Sequence, residues 1–409
     1  MERSDQNDRP YDVIVMGATG FTGFLVAEYL LKTYGVGQGL HWAMAGRNVD
    51  KLERKRAELG HEAIPLIQAN SFDAESLDQM TRQTKVLCST VGPYAKYGSE
   101  TVASCVRSGT HYCDLTGEVQ WIRRMIDAHH ESAGAKKLKI THCCGFDSIP
   151  SDMGVFWLQK QAKAQTGMYC QHIKTGVKGA SGGFSGGTIA SLLNVIDEAQ
   201  QDRSLYKVLF NPYGLNPAGD QEGPDQSDLR SVQYDPHFGS WVCPFVMASI
   251  NTRVVRRGHA LRGYPYTRNF RYEEVTLNGD GFSGKVKGYL TSIPLGMLAS
   301  AKKGTLARWA VNRFFPKPGE GPSKEKRENG FWVYDQIGLL PDGRLIKARL
   351  KGDRDPGYGS TSKMLAEAAV CLAQDNLSDQ YGVLTPASAM GQPLLERLFQ
   401  KAGLTFSMK

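Results

Sequence analysis

The segment Val13-Ile14-Val15-Met16-Gly17-Ala18-Thr19-Gly20-Phe21-Thr22-Gly23 constrains this chain more than any other. Apolar residues run straight into three glycines spaced three apart, and Phe24, Ala27, Leu30, Leu31 and Tyr34 follow at helical spacing. A strand that ends in such a turn and reopens as a helix is the entry of a βαβ unit that cradles a dinucleotide. Gly17 allows the tight turn, Gly20 lets backbone approach a pyrophosphate, and Gly23 lets helix and strand pack closely. Thr19, Phe21 and Thr22, between them, are expected to line the same site, where free N–H groups at the helix start meet the phosphates.

The next strand ends Ala45-Gly46-Arg47, with Arg47 placed 24 residues after Gly23. An acid at this point would suit the ribose 2′-hydroxyl of NAD. An arginine fork, with Lys51 one turn further, suits the 2′-phosphate of NADP. Asp50 keeps NAD as the less favoured alternative. A later strand ends Ser89-Thr90-Val91-Gly92-Pro93-Tyr94, and Gly92 and Pro93 are expected beside the nicotinamide ribose.

Short apolar runs at Tyr11–Met16, Trp42–Ala45, Ala63–Gln68, Val86–Val91, Thr110–Cys113 and Leu138–Cys143 alternate with helical patterns, which predicts a doubly wound parallel sheet. After Pro150 the texture changes. Ser151 and Asp152 are expected to cap a helix reaching about Gln165, Asn211–Asp228 reads as a long loop, and Cys170–Val177, Phe270–Leu277, Phe331–Leu339 and Arg344–Lys351 read as strands of a mainly antiparallel sheet. The expected division is a Rossmann domain over 1–155, an inserted α+β domain over 156–355, and a C-terminal segment, 356–409, returning to the first domain.

A chain of 409 residues with 41% hydrophobic content can build such a core. The polar start Met1–Pro10 carries no export signal, and the greasiest run, Gly288–Ala301, is too short to span a bilayer. A cytoplasmic protein with reduced cysteines is therefore expected. No Cys-x-x-Cys pair or histidine cluster suggests a metal, and His129–His130 are expected at the surface.

Charge is uneven in a chain of net +8. Six arginines and no acid lie between Arg253 and Tyr272, and a second block, Ala301–Arg327, also carries +6. Basic surface of this kind suits an anionic partner. The second block overlaps Leu290–Phe315, where Leu295, Leu306 and Trp309 mix with Lys302 and Arg313, so peripheral contact with lipid is one expectation. A core or homodimer interface is the other. The arginines interleave with Tyr264, Tyr266 and Phe270 but match no nucleic-acid module, and no nucleic acid is expected.

None of the 17 tyrosines has a lysine four residues later, which argues against the short-chain dehydrogenase mechanism. The chain does resemble the saccharopine dehydrogenase-like oxidoreductases, among them the trans-acting enoyl reductases. The resemblance rests on residues 17–23, Ala45-Gly46-Arg47, Gly92-Pro93-Tyr94, Tyr112–Glu118, Cys144–Asp152, Gly186-Gly187-Thr188, Pro316–Pro322, Asp355–Gly359 and Thr385–Gly391, and so covers nearly the whole chain. It implies a Rossmann domain, an inserted α+β domain and a returning C-terminal segment, with substrates from amino acids to lipids. For reduction of an enoyl group on an acyl chain, Tyr94, Asp114 and Asp147 are the candidate catalytic residues at the carboxyl edge of the sheet. An imine or amino-acid dehydrogenase would instead need converging arginines, for which Arg253–Arg271 are the source. A nucleotide-binding, lipid-associated protein without turnover is the third reading. The glycine-rich loop 179–187 is expected to border the cleft between the domains.

Overall fold

The computed structural model describes residues 8–181, 186–316 and 321–409. Two seven-stranded sheets organise it. The first contains β1 (Tyr11–Met16), β2 (Trp42–Gly46), β3 (Leu66–Gln68), β4 (Thr84–Ser89), β5 (His111–Asp114) and β6 (Lys139–Thr141). Every pairing in it is parallel, and the order 3-2-1-4-5-6 is that of a Rossmann sheet. From Asp12 to Met16 β1 is wholly buried, as a central parallel strand with helices on both faces must be.

The second sheet comprises β7 (His172–Ala180), β8 (Gln233–Asp235), β9 (Ser240–Pro244), β10 (Arg271–Leu277), β11 (Trp332–Leu339) and β12 (Leu345–Gly352). Only β7 and β10 pair in parallel; the other pairings are antiparallel. The C-terminal segment serves both sheets. β13 (Gly382–Leu384) extends the first beside β6, and β14 (Leu404–Met408) pairs with β12 in the second. The tail therefore does not return wholly to the first domain, as expected for 356–409. β12 would otherwise present a bare edge, and β14 covers it.

The helix Thr361–Gln374 is buried almost all round, packed on β1, β4 and β5 and against the helix Phe21–Tyr34. Its one buried acid, Glu367, accepts from the Tyr29 and Tyr34 hydroxyls at 2.7 and 2.8 Å and from Arg397 at 3.3 Å, so the C-terminal segment is locked to the first helix.

Three local expectations are corrected. The helix over 149–166 begins at Ile149, and Asp152 does not cap it: its carboxylate accepts the Ala387 N–H at 2.7 Å, holding the short helix Pro386–Ala389. Burial raises the Asp152 carboxyl to about 6. His129 and His130 are half-buried rather than surface residues, and His130 Nδ1 accepts from the Val383 N–H at 3.1 Å, fixing β13. The block Arg253–Tyr272 is a basic surface only in part: Arg268 and Arg271 are exposed and Arg262 half-buried, but the first three arginines are not at the surface. Arg253, Arg256 and Arg257 are buried on the helix Ala248–Leu261, where Arg253 pairs with Asp228 at 2.6 Å and Arg256 with Asp225 at 2.5 Å. The loop read at 211–228 supplies those acids, which local charge counting could not foresee. All eight cysteines are buried and unbridged. Among the described residues no helix is long and apolar enough to cross a membrane.

Candidate functional site

The carboxyl ends of β1, β4, β5 and β6 deliver four turns to one edge of the first sheet. The first turn is the glycine segment. Gly17 adopts φ +89°, and a Cβ there would stand 2.6 Å from Thr90 Oγ1. A Cβ on Gly23 would strike Gly17 O and also come within 2.6 Å of Thr90 Oγ1. Both glycines are thus demanded by close packing between the first and fourth strand ends. Gly20 differs: it is exposed, its would-be Cβ meets nothing nearer than Gly17 O at 3.2 Å, and it begins the helix Phe21–Tyr34 with no side-chain cap. An uncapped helix start behind an open glycine leaves room and N–H groups for a pyrophosphate, so these residues fit a dinucleotide.

Thr19, Phe21 and Thr22 are half-buried around this opening. Phe21 is clasped by the rest of the molecule. Its ring meets Tyr358 edge-on at 4.6 Å, Arg327 lies over it at 5.1 Å, and a side chain on Gly321 would strike it at 2.5 Å. Tyr358 sits in a π-helical turn, Pro356–Ser360, held by the Asp355 carboxylate through the Tyr358 and Gly359 N–H groups at 3.0 and 2.8 Å. The Asp-Pro-Gly-Tyr-Gly stretch therefore buttresses the nucleotide turn.

At the end of β2, Arg47 and Lys51 stand exposed on either side of the start of the helix Val49–Leu59, whose Asn48 cap accepts from Lys51 N at 2.8 Å. Two cations at a helix N-terminus make a phosphate site, which fits the 2′-phosphate of NADP. At the end of β4, Gly92 is exposed and Pro93 half-buried.

Tyr94 and Asp114, expected to be catalytic, are not presented to the cleft. Tyr94 is 4% exposed, stacks on Trp121, and donates its hydroxyl to Ser89 O at 3.0 Å. Burial holds that phenol well above its ordinary range. Asp114 is fully buried: Oδ2 pairs with His142 Nδ1 at 2.7 Å, and Oδ1 accepts from the Thr116 and Cys143 N–H groups at 3.1 and 3.2 Å. Its oxygens fasten the turn after β5 to the turn after β6.

Glu118, a residue the sequence reading did not single out, does similar work. Its buried carboxylate accepts the Tyr94 and Ala95 N–H groups at 2.7 and 3.0 Å and the Ser191 hydroxyl at 2.9 Å. It joins the turn after β4, the turn after β5 and the helix Gly186–Gln201 of the second domain. Burial raises its pKa. Of the glycine-rich loop 179–187, residues 182–185 lie outside the described residues; the helix that follows reaches this edge through Ser191.

Asp147 behaves otherwise. It is half-buried, and its carboxyl makes no hydrogen bond among the described residues. Oδ2 lies 3.9 Å from the point where a side chain on Gly117 would begin, and Met247 Cε lies 3.7 Å from that same point. Desolvation raises the carboxyl to about 7. Next to it Phe146 packs edge-on against Trp332 and Tyr334 at 5.4 and 5.7 Å, and Phe245 completes the aromatic wall at 6.2 Å from Tyr334. Behind the wall Ser148 Oγ donates to Asn251, Asn251 donates to Glu274 at 2.9 Å, and Tyr272 donates to the same carboxylate at 2.6 Å. That network fixes the Asp147–Ser148 turn on the second sheet. Glu274 too is raised to about 7 by burial. Among the described residues no three His, Cys, Asp or Glu gather into a metal site.

Comparison with known proteins follows the same division. Residues 13–140 match the family model of the saccharopine dehydrogenase NADP binding domain. A Mycobacterium tuberculosis protein, provisionally named a trans-acting enoyl reductase, is 39% identical over 407 residues, spanning 95% of this chain and 96% of its own. The trans-acting enoyl reductase of Mycobacterium leprae is 36% identical over 404 residues, with 95% and 96% covered. Among solved structures, apo saccharopine dehydrogenase (L-Glu forming) from Saccharomyces cerevisiae superposes with a TM-score of 0.53 at 12% identity, covering 98% of this chain and all of that one.

Proposed function

The chain belongs to the trans-acting enoyl reductase family of saccharopine dehydrogenase-like, NADP-dependent oxidoreductases, and from that premise we propose that it reduces the enoyl group of a lipid- or polyketide-type acyl substrate, with Asp147 as the proton donor. The observation that carries this reading is the Asp147 carboxyl: half-buried, unpartnered among the described residues, raised to about 7 by desolvation, and next in sequence to Phe146 of the Phe146–Tyr334–Phe245 aromatic wall. Apolar surroundings suit an acyl chain, and a carboxyl that keeps its proton near neutrality suits a general acid.

When bound, NADPH would supply the hydride needed at the β-carbon of the enoyl group. The chain's own residues supply the rest. The glycine turn and Arg47 hold the nucleotide. Asp147 gives one proton to the α-carbon as the developing enolate collapses, and it takes one back from water afterwards. One hydride and one proton saturate the double bond, so the electrons balance. Glu118 and Asp114 are positioning residues: they hold the turns between which the substrate lies.

An amino-acid substrate is less well supported. It calls for arginines converging on carboxylates, and Arg253, Arg256 and Arg257 are buried against Asp228, Asp225 and backbone carbonyls instead. The test is NADPH oxidation with long-chain trans-2-enoyl thioesters against 2-oxo acids plus amino acids. Turnover of the thioester alone supports the proposal. Turnover of the oxo acid and amine pair alone overturns it.

A further inference from the structure

The helix Gly281–Ala299 is built inside out. Its buried side carries Gly284 and Gly288, packed on β9. A Cβ on Gly288 would stand 2.9 Å from Val232, and one on Gly284 would strike the carbonyl of Gly279. Its large apolar side chains point to solvent: Phe282 (82% exposed), Val286, Tyr289, Leu290 (61%) and Ile293. At 3.6 residues per turn these five fall within an arc of about 100°. Lys285 and Lys287 come just outside its two edges, both exposed. The mixed apolar and basic run 290–315 is broken after Ala299, and a second helix, Leu306–Phe314, packs against the first. It exposes Leu306 (86%), Trp309 (62%) and Phe314.

A surface helix of a globular enzyme normally turns such a stripe inward, and contiguous apolar surface of this kind marks an interaction site. Charge identifies the partner. From Gly281 to Pro316 the chain carries six basic residues and no acid. Arg308 is held by Asp197 at 2.9 Å, while Lys285, Lys287, Lys302, Lys303 and Arg313 stay exposed. Two copies meeting through this face would set these cations against themselves. An anionic lipid headgroup layer over acyl chains complements both features at once, because long lysine stems reach the headgroups while the stripe enters the apolar boundary.

We infer that the stripe formed by Phe282, Tyr289, Leu290 and Ile293, rimmed by Lys285 and Lys287, docks the protein reversibly on an anionic membrane, with the exposed Trp309 of the second helix joining the contact. The inference stands apart from the choice of substrate. Its test is flotation of the full chain with phosphatidylglycerol–phosphatidylcholine vesicles and with pure phosphatidylcholine vesicles, in low and physiological salt. Binding is expected to the anionic vesicles, weakened but not abolished by salt. Lys285→Glu/Lys287→Glu should weaken it by about tenfold or more. Leu290→Glu/Ile293→Glu should abolish it while melting temperature and NADPH binding stay unchanged, since both side chains are exposed. Brominated lipid should quench wild-type fluorescence more than that of Trp309→Phe. Absence of binding to anionic vesicles at low salt overturns the inference. So does undiminished binding by Leu290→Glu/Ile293→Glu, and so does a dimer that this variant dissolves in a protein that never floats.

Discussion

The nucleotide end and the proposed substrate end of the site are built by opposite means. At the nucleotide end one continuous segment, residues 13–23, makes the strand, the turn and the helix start, and its chemistry is backbone N–H. At the substrate end, side chains from the turns after β4, β5 and β6 meet the second sheet, and the network behind Asp147 spans Ser148, Asn251, Tyr272 and Glu274. A binding site made of backbone is encoded locally. A reacting site made of side chains is encoded by the fold.

That contrast breaks first at the glycines. Gly23→Ala forces a methyl group against Gly17 O and Thr90, so the helix cannot lie on the strand, and we expect loss of soluble, folded protein. Gly20→Val meets only Gly17 O at 3.2 Å. It should leave the melting temperature nearly unchanged and abolish NADPH binding, measured by calorimetry. If both variants fold and both bind, the three glycines are a turn and nothing more.

At the other end, Asp147→Asn should lower kcat by about 10²–10⁴-fold with NADPH affinity intact, the range for a lost general acid. The pH dependence has a definite sign. With its carboxyl raised to about 7, Asp147 holds its proton below that pH, so activity should fall as pH rises through 7, and the variant should lose this limb. Stability runs in parallel. The folded carboxyl ionises less readily than the unfolded one, so its contribution is present at low pH and is lost as pH rises between the two values. Asp147→Asn should therefore melt higher than wild type at pH 8. A variant that melts lower and keeps its rate would make Asp147 structural.

The glycine turn and the parallel sheet were legible in the sequence because each depends on near neighbours and on a period of two or 3.6 residues. The sequence led to Tyr94 and Asp114 for a sound reason, since both follow strands at the correct edge. What decides their roles is more distant in sequence: Tyr94 stacks on Trp121, and Asp114 finds His142. The arginine block misled in the same way, because Asp225 and Asp228 come from a loop some thirty residues earlier. In the helix Gly281–Ala299, Gly284 and Gly288 look like breakers in sequence and prove to be on its packed side.

Glu118 sharpens the comparison because it belongs to both ends, gripping the start of the helix at Tyr94 and reaching Ser191 of the second domain. Glu118→Gln keeps the shape but puts an amide N–H where a backbone N–H must be accepted. Losing a charge-assisted, buried acceptor costs about 1.5–3 kcal/mol, which chemical denaturation would register. A loss below the error of that measurement would mean that water replaces the carboxylate, and the turn is not clamped.

The smallest effect is the most diagnostic for the nucleotide end. Arg47 and Lys51 are exposed, so each works through solvent and neither is needed for the fold. Meeting the 2′-phosphate, they should give NADPH at least a tenfold advantage over NADH, about 1.4 kcal/mol, and raised salt should erode it. Arg47→Glu turns attraction into repulsion at the same point and supplies an acceptor for a free ribose hydroxyl. The variant should lose the NADPH preference while binding NADH at least as well as wild type, with no change in melting temperature. Lys51→Ala should weaken the preference less, because an ammonium is a point charge without the guanidinium fork. Equal affinity of the wild type for both nucleotides would leave the phosphate with no partner at this strand end, and the selectivity would have to come from elsewhere along the cleft.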